Sequence, residues 1–253
     1  MKYFKILILL LFSLEFGYCQ TKNSNQISSM KKTEKMTIDI WSDIMCPFCY
    51  IGKRNLENAL AKFEHQNNVE LVWHSFQLDP NLPQQTSSLN PYEYLAERKG
   101  ISVQQSKELH DYVIAMAKEV GLNYHYEKAK IVNSFDAHRL IQLAKHFKLG
   151  NEAEELLFKA YFIEGKDLGN SETLKEIGKE IGISNAELQN LFSKNAYHDE
   201  VINDFNQAIK LKITGVPYFL INKKYSISGA QPSRQFLDVL HKAYKDWEKS
   251  ENQ

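Results

Sequence analysis

Cys46-Pro47-Phe48-Cys49 sets two thiols three residues apart, close enough to close on each other as a disulfide and to open again. The pattern around them changes at the motif. Thr37-Ile38-Asp39-Ile40-Trp41 alternates polar and apolar side chains as a half-buried strand does, and Leu56, Leu60 and Phe63 recur at helical spacing. A helix beginning near Cys46 aims free backbone N–H groups and the positive end of its dipole at the first sulfur, which favours thiolate over thiol. A thiolate attacks disulfides, and a readily formed thiolate also leaves easily, so one sulfur can make and release a mixed disulfide. Cys46 is the expected nucleophile. Cys49, one turn further into the helix and more buried, is the expected resolving cysteine, with Pro47 and Phe48 positioning the pair.

Two other chemistries use Cys-x-x-Cys. A zinc site needs two further ligands, yet there is no second cysteine pair and the eight histidines are scattered, so no metal is expected. A permanent structural disulfide across so short a loop removes little unfolded-chain entropy, and its place at a helix start points to exchange instead. Thr214-Gly215-Val216-Pro217 offers the other half of a site. A proline opening a strand can keep a cis bond and present the preceding backbone for pairing, although only about 5–6% of X–Pro bonds are cis in folded proteins.

These residues need a sheet to hold them. Val69 to Phe76 reads as a second strand, and Tyr218-Phe219-Leu220-Ile221 and Tyr225-Ser226-Ile227 as a hairpin across Asn222-Lys223-Lys224. Between the two sets the apolar spacing is helical throughout. Asn90-Pro91-Tyr92-Glu93 and Ser184 with Glu187 are helix starts, and Leu109, Tyr112, Val113, Met116 and Val120 mark a helix expected in the core. A last amphipathic helix runs through Phe236, Leu240, Ala243 and Trp247. One central sheet can form only if the helical block folds out as an insertion.

The 253 residues, 43% hydrophobic and 25% charged, can bury a sizeable core, and zero formal net charge without a basic aromatic stripe argues against nucleic acid. Lys2 and Lys5 precede an apolar run from Ile6 to Leu14, with Gly17 and Cys19 at signal-peptidase positions. We read residues 1–19 as an export signal that places the protein in the periplasm or cell envelope. The run is shorter than the roughly 20 apolar residues of a spanning helix, so no stable membrane insertion is expected unless Cys19 is lipidated. Polar residues 20–35 read as a flexible tether. Removal of the signal after Cys19 would leave two cysteines.

Ile40-Trp41-Ser42-Asp43 leading to Cys46-Pro47-Phe48-Cys49-Tyr50-Ile51-Gly52, then Ala137-His138-Arg139-Leu140, Gly215-Val216-Pro217 and Ser228-Gly229-Ala230-Gln231-Pro232, resembles the FrnE-like branch of the DsbA-type oxidoreductases. The resemblance runs from about Met36 to the last helix. It implies an α/β thioredoxin fold with a large inserted α-helical domain: thioredoxin-fold parts at 36–80 and 197–253, helical domain at 81–196. It implies that the Val216–Pro217 bond is cis beside the redox pair, and that a surface near Asn133, Ser134 and His138 faces substrate. From the residues alone these three read equally as a helix cap and a surface or satisfied histidine.

The implied activity is exchange of disulfides with thiol- or disulfide-containing proteins or small thiols, with a redox partner to regenerate the pair. Glutathione is the one candidate co-substrate. Direction is open between oxidase, isomerase and reductase, export favouring oxidation. In the best-known DsbA proteins the residue before the second cysteine is His, and Phe48 cannot donate a hydrogen bond to a thiolate as that residue can. Two rival functions remain. One is a glutathione-dependent isomerase or transferase of the 2-hydroxychromene-2-carboxylate isomerase or kappa type, which typically has serine in place of the first cysteine. The other is a non-catalytic envelope binding or chaperone-like protein.

Overall fold

A computed structural model describes residues 35–84 and 86–251. The expected signal, and the expected tether except for Lys35, lie outside the described residues. Strand β1 (Met36–Ser42) buries Met36, Ile38 and Ile40 completely on one face, as its alternation requires. It runs parallel to β2 (Val69–Ser75), and the crossover this demands contains α1 (Pro47–Leu60). Strand β3 (Tyr218–Ile221) pairs antiparallel with β1 on its other edge and with β4 (Tyr225–Ser228), giving the order β2-β1-β3-β4. Asn222 and Lys223 turn the hairpin with positive φ angles of 51° and 52°.

Among the described residues, seven α-helices lie between β2 and β3: α2 (Pro91–Lys99), α3 (Val103–Glu119), α4 (Phe135–His146), α5 (Gly150–Lys159), α6 (Ser171–Glu180), α7 (Asn185–Ser193) and α8 (His198–Lys210). The expected starts hold: Asn90 with Glu93 and Ser184 with Glu187 form reciprocal capping boxes. Helix α9 (Ser233–Glu251) closes the chain and packs with α1, burying Phe236, Leu240 and Ala243 completely. The Phe236 ring meets Phe219 edge-on at 4.8 Å.

The structure corrects two readings. β1 was expected to have one buried face, but Trp41 and Ser42 are buried as well. Helix α8 supplies the reason: Trp41 packs with Phe76, Ala208 and Ile213, and its indole N–H donates to the Asp204 carbonyl at 3.2 Å. The α3 stripe is the second. Val113 is buried, but Leu109 and Tyr112 are 43% and 63% exposed, because that side of the helix borders a cavity instead of entering the core.

Helix α1 is tied to α5 by charge. The Lys53 ammonium, 2% exposed, lies 2.5 Å from Glu57 and 2.6 Å from Glu155. Arg54 reaches Glu57 at 2.6 Å and Glu155 at 2.7 Å, and the Tyr50 hydroxyl donates to Glu155 at 2.7 Å. Above this lattice the Tyr50 ring stacks on Phe158 at 4.9 Å. The segment that carries the cysteines is thus clamped to the inserted helices by both apolar and ionic contacts.

Candidate active site

Cys46 is the N-cap residue of α1 and Pro47 its first helical residue, where a missing N–H costs nothing. The Cys46 N–H donates to the Asp43 carbonyl at 2.9 Å, and the Cys49 N–H returns to the Cys46 carbonyl at 3.0 Å. A tyrosine that sequence reasoning missed fixes the turn from outside: Tyr124 donates to the Pro47 carbonyl at 2.8 Å. It sits between α3 and α4 in Tyr124-His125-Tyr126, where no periodicity marks it.

Both cysteines are free thiols, 3% and 1% exposed, but they do not face the same way. Cys46 lines a cavity of about 500 Å³ together with Pro47, Phe48 and Val216, whereas Cys49 is not part of that lining. The Cys46 thiol donates to the Val216 carbonyl at 3.5 Å, and the Val216–Pro217 peptide is cis. Gly52 lets α1 come this close: a Cβ there would stand 3.0 Å from Pro217 Cγ and 3.1 Å from Phe219 Cζ. Cys46, Cys49, Pro47, Phe48, Val216 and Pro217 therefore gather at one place, although 170 positions separate the two segments.

Burial, reinforced by the neighbouring Cys46 sulfur, pushes the Cys49 thiol well up from its ordinary value. Beneath it lies a polar cluster. Ser42 eases the rise of the Cys49 thiol, and its hydroxyl donates to the Glu154 carboxylate at 3.5 Å. Glu154 is 1% exposed, and burial raises its pKa to about 7 against the pull of His138 and Lys53, with Asp43 adding to the rise. This carboxyl, held by Ser42, can hold or release a proton at neutral pH. Within the stripe of α5 a lone glutamate carries no sequence signal of burial.

His138 is completely buried, its Nε2 is 3.5 Å from Asp43 Oδ1, and neither ring nitrogen makes a hydrogen bond. It lies inside against Asp43 and not on a substrate-side surface, which corrects that expectation. Asn133 also lies off the cavity. Its amide donates to the Leu82 carbonyl at 2.6 Å and its oxygen caps the Phe135 N–H at 2.9 Å, so it organises the start of α4. It borders a separate surface cavity with Arg139 and His198. Ser134, the N-cap position of α4, makes no side-chain capping bond.

Residues 37–241 match the model of the DSBA-like thioredoxin domain, four-fifths of the chain. The chain belongs to this family. The four-stranded sheet with helices inserted between β2 and β3 is accordingly a thioredoxin fold with an α-helical insertion. Family membership covers the cysteine motif, the cis proline and both parts of the sheet. The chain is similar to a probable DsbA oxidoreductase, SCO1869, from Streptomyces coelicolor: 34% identical, TM-score 0.78, over 83% of this chain and 90% of that one. It is 27% identical over 216 residues to the uncharacterized protein YwbO of Bacillus subtilis (strain 168), covering 84% of this chain and 97% of that one. The fold is also shared with the cytosolic disulfide reductase DsbM of Pseudomonas aeruginosa, solved with GSH, at TM-score 0.59 and 14% identity over 83% of this chain and 99% of that one.

Proposed function

We propose that the protein is a thiol-disulfide oxidoreductase working through Cys46 and Cys49. The observation that carries this reading is the asymmetry of the pair: one sulfur opens on a cavity beside a backbone carbonyl, and the other is sealed beneath it. In the oxidising direction a substrate thiolate attacks Cys46 Sγ, the Cys46–Cys49 bond breaks, and Cys49 leaves and takes up a proton. A second substrate thiolate then attacks the substrate sulfur of the mixed disulfide and expels Cys46. Reduction is the same path reversed. Burial makes a lasting Cys49 thiolate costly, so a proton must be at hand, and Ser42 with Glu154 lies there.

The substrates are thiol- or disulfide-containing proteins or small thiols, and a separate redox partner resets the pair. The reading of residues 1–19 as an export signal supports work in the periplasm or cell envelope. Glutathione is a candidate co-substrate, a reading supported by the fold shared with the GSH-bound reductase. The first test is trapping. With Cys49→Ser, the Cys46 thiolate should attack a substrate disulfide, release one thiolate and accumulate as a mixed disulfide, visible by intact mass and lost on reduction. Cys46→Ser should accumulate none, and equal trapping by the two variants would refute the assigned roles.

A further inference from the structure

The cavity over Cys46 carries more information than the cysteines. Its walls are apolar and aromatic: Phe48 and Val216 on the side of the sheet, Leu78, Tyr94, Leu109 and Tyr112 from the inserted segment. At about 500 Å³ it has the size of a small-molecule site rather than of a shallow peptide groove. Two buried tyrosines line it with hydroxyls that lack a partner. The Tyr126 and Tyr161 hydroxyls form no hydrogen bond, though these residues are only 5% and 3% exposed. They interact electrostatically with each other, and Tyr126 also with Cys46. Burial raises the pKa of both phenols, so they are present as O–H donors. Both residues line the cavity and neither hydroxyl has a protein acceptor, so this end of the cavity favours a ligand that brings one.

Charge narrows the choice. Asp43 borders the cavity beside Tyr161, and its carboxylate accepts the Met45 and Leu78 N–H groups at 3.2 and 2.7 Å. Of the cations at the rim, Arg98 is taken up by Asp79 and the Leu78 carbonyl. His110 donates through Nδ1 to the Ser106 carbonyl at 2.7 Å, and burial lowers its pKa, so it stays neutral. Lys99 alone offers an unpaired positive charge, at the exposed edge. The interior therefore disfavours an anion next to the two hydroxyls.

We infer that the site takes a low-molecular-weight disulfide with an apolar or aromatic body and a neutral hydrogen-bond acceptor, bound by Tyr126 and Tyr161 with its sulfur at Cys46. This rests on the exchange chemistry proposed above and names its substrate class. In the reducing direction the Cys46 thiolate attacks the ligand disulfide, forming Cys46–S–S–R and releasing RS⁻. Cys49 then gives up its proton and attacks Cys46 Sγ, closing the protein disulfide and releasing the second RS⁻. The ligand gains two electrons and the pair loses them.

The test uses the fully reduced protein in single turnover against three disulfides: 2,2′-dithiodipyridine, aromatic with neutral ring-nitrogen acceptors; 2-hydroxyethyl disulfide, small and polar; and glutathione disulfide, anionic. Each rate is divided by that of N-acetylcysteine with the same disulfide, which removes intrinsic reactivity. The normalised rate should be at least tenfold higher for the dipyridyl compound than for the other two. Tyr126→Phe with Tyr161→Phe should cut that rate about tenfold, roughly the worth of a neutral hydrogen bond or two, and leave the hydroxyethyl rate within twofold. Their melting temperature should not fall, because a hydroxyl without a partner is all that is removed. Equal normalised rates for the three compounds, or no response to the double substitution, overturn the inference while leaving the exchange chemistry standing. No reaction with any of the three would overturn the exchange chemistry itself.

Discussion

Replacing Glu154 by Gln should make the protein more stable, and only above a particular pH. The wild-type carboxyl is buried with Ser42, His138, Lys53 and Asp43 around it, and its pKa is raised from 4.5 to about 7. Because the folded state holds this proton more tightly than the unfolded state, the group's stabilising contribution is complete below pH about 4.5. It is lost as pH rises through 7. At about 1.4 kcal/mol per pKa unit, that displacement amounts to about 3 kcal/mol once the carboxylate is ionised. Glutamine fills nearly the same volume, can still accept from Ser42, and never pays to be charged. Urea denaturation of the reduced proteins at pH 5 and pH 8 measures the effect, with equal m-values as the check on two-state behaviour. The variant should match or trail the wild type at pH 5 and exceed it by up to about 3 kcal/mol at pH 8. A difference independent of pH would mean that Glu154 is ionised throughout, held by Lys53 and His138, and would remove it as a proton store for Cys49.

Gly52→Ala sets two effects against each other: about 1 kcal/mol of helix propensity gained in α1, and overpacking against Pro217 and Phe219 that costs typically ~1–3 kcal/mol. Phe219 is completely buried and cannot yield, so the melting temperature should fall and the exchange rate at Cys46 should fall with it. Glu155→Ala takes from Lys53, Arg54 and Tyr50 a shared partner and leaves a buried ammonium on Glu57 alone. Breaking a fully buried pair costs about 3–5 kcal/mol; with Glu57 still present about 2 kcal/mol is expected by chemical denaturation. Alkylation of the reduced protein by iodoacetamide should mark Cys46 before Cys49, as peptide mapping would show, since only Cys46 opens on the cavity.

The elements were legible because their signals are local. Alternation at 37–41, capping residues at 90 and 184, and the cysteine motif at a helix start each depend on a few neighbours in sequence, and the structure keeps them. The gathering of Val216 and Pro217 at Cys46 was read from resemblance, and its geometry is a product of the sheet. What escaped depends on which element covers which. Trp41 is buried because α8 lies over it, Leu109 and Tyr112 are exposed because α3 borders a cavity, and His138 lies inside because α4 turns that face toward Asp43. Glu154, Tyr124 and Tyr126 matter only through residues distant in sequence, and nothing in their own neighbourhoods announces it.

The equilibrium reduction potential of the Cys46–Cys49 pair, measured against a glutathione buffer with Cys46→Ser as the control, tests the account most directly. A reversible two-electron transition between about −120 and −270 mV is expected, the upper end marking an oxidase and the lower end a reductase. A disulfide that resists reduction until below about −300 mV would be structural, and thiol-disulfide exchange would not be what this protein does.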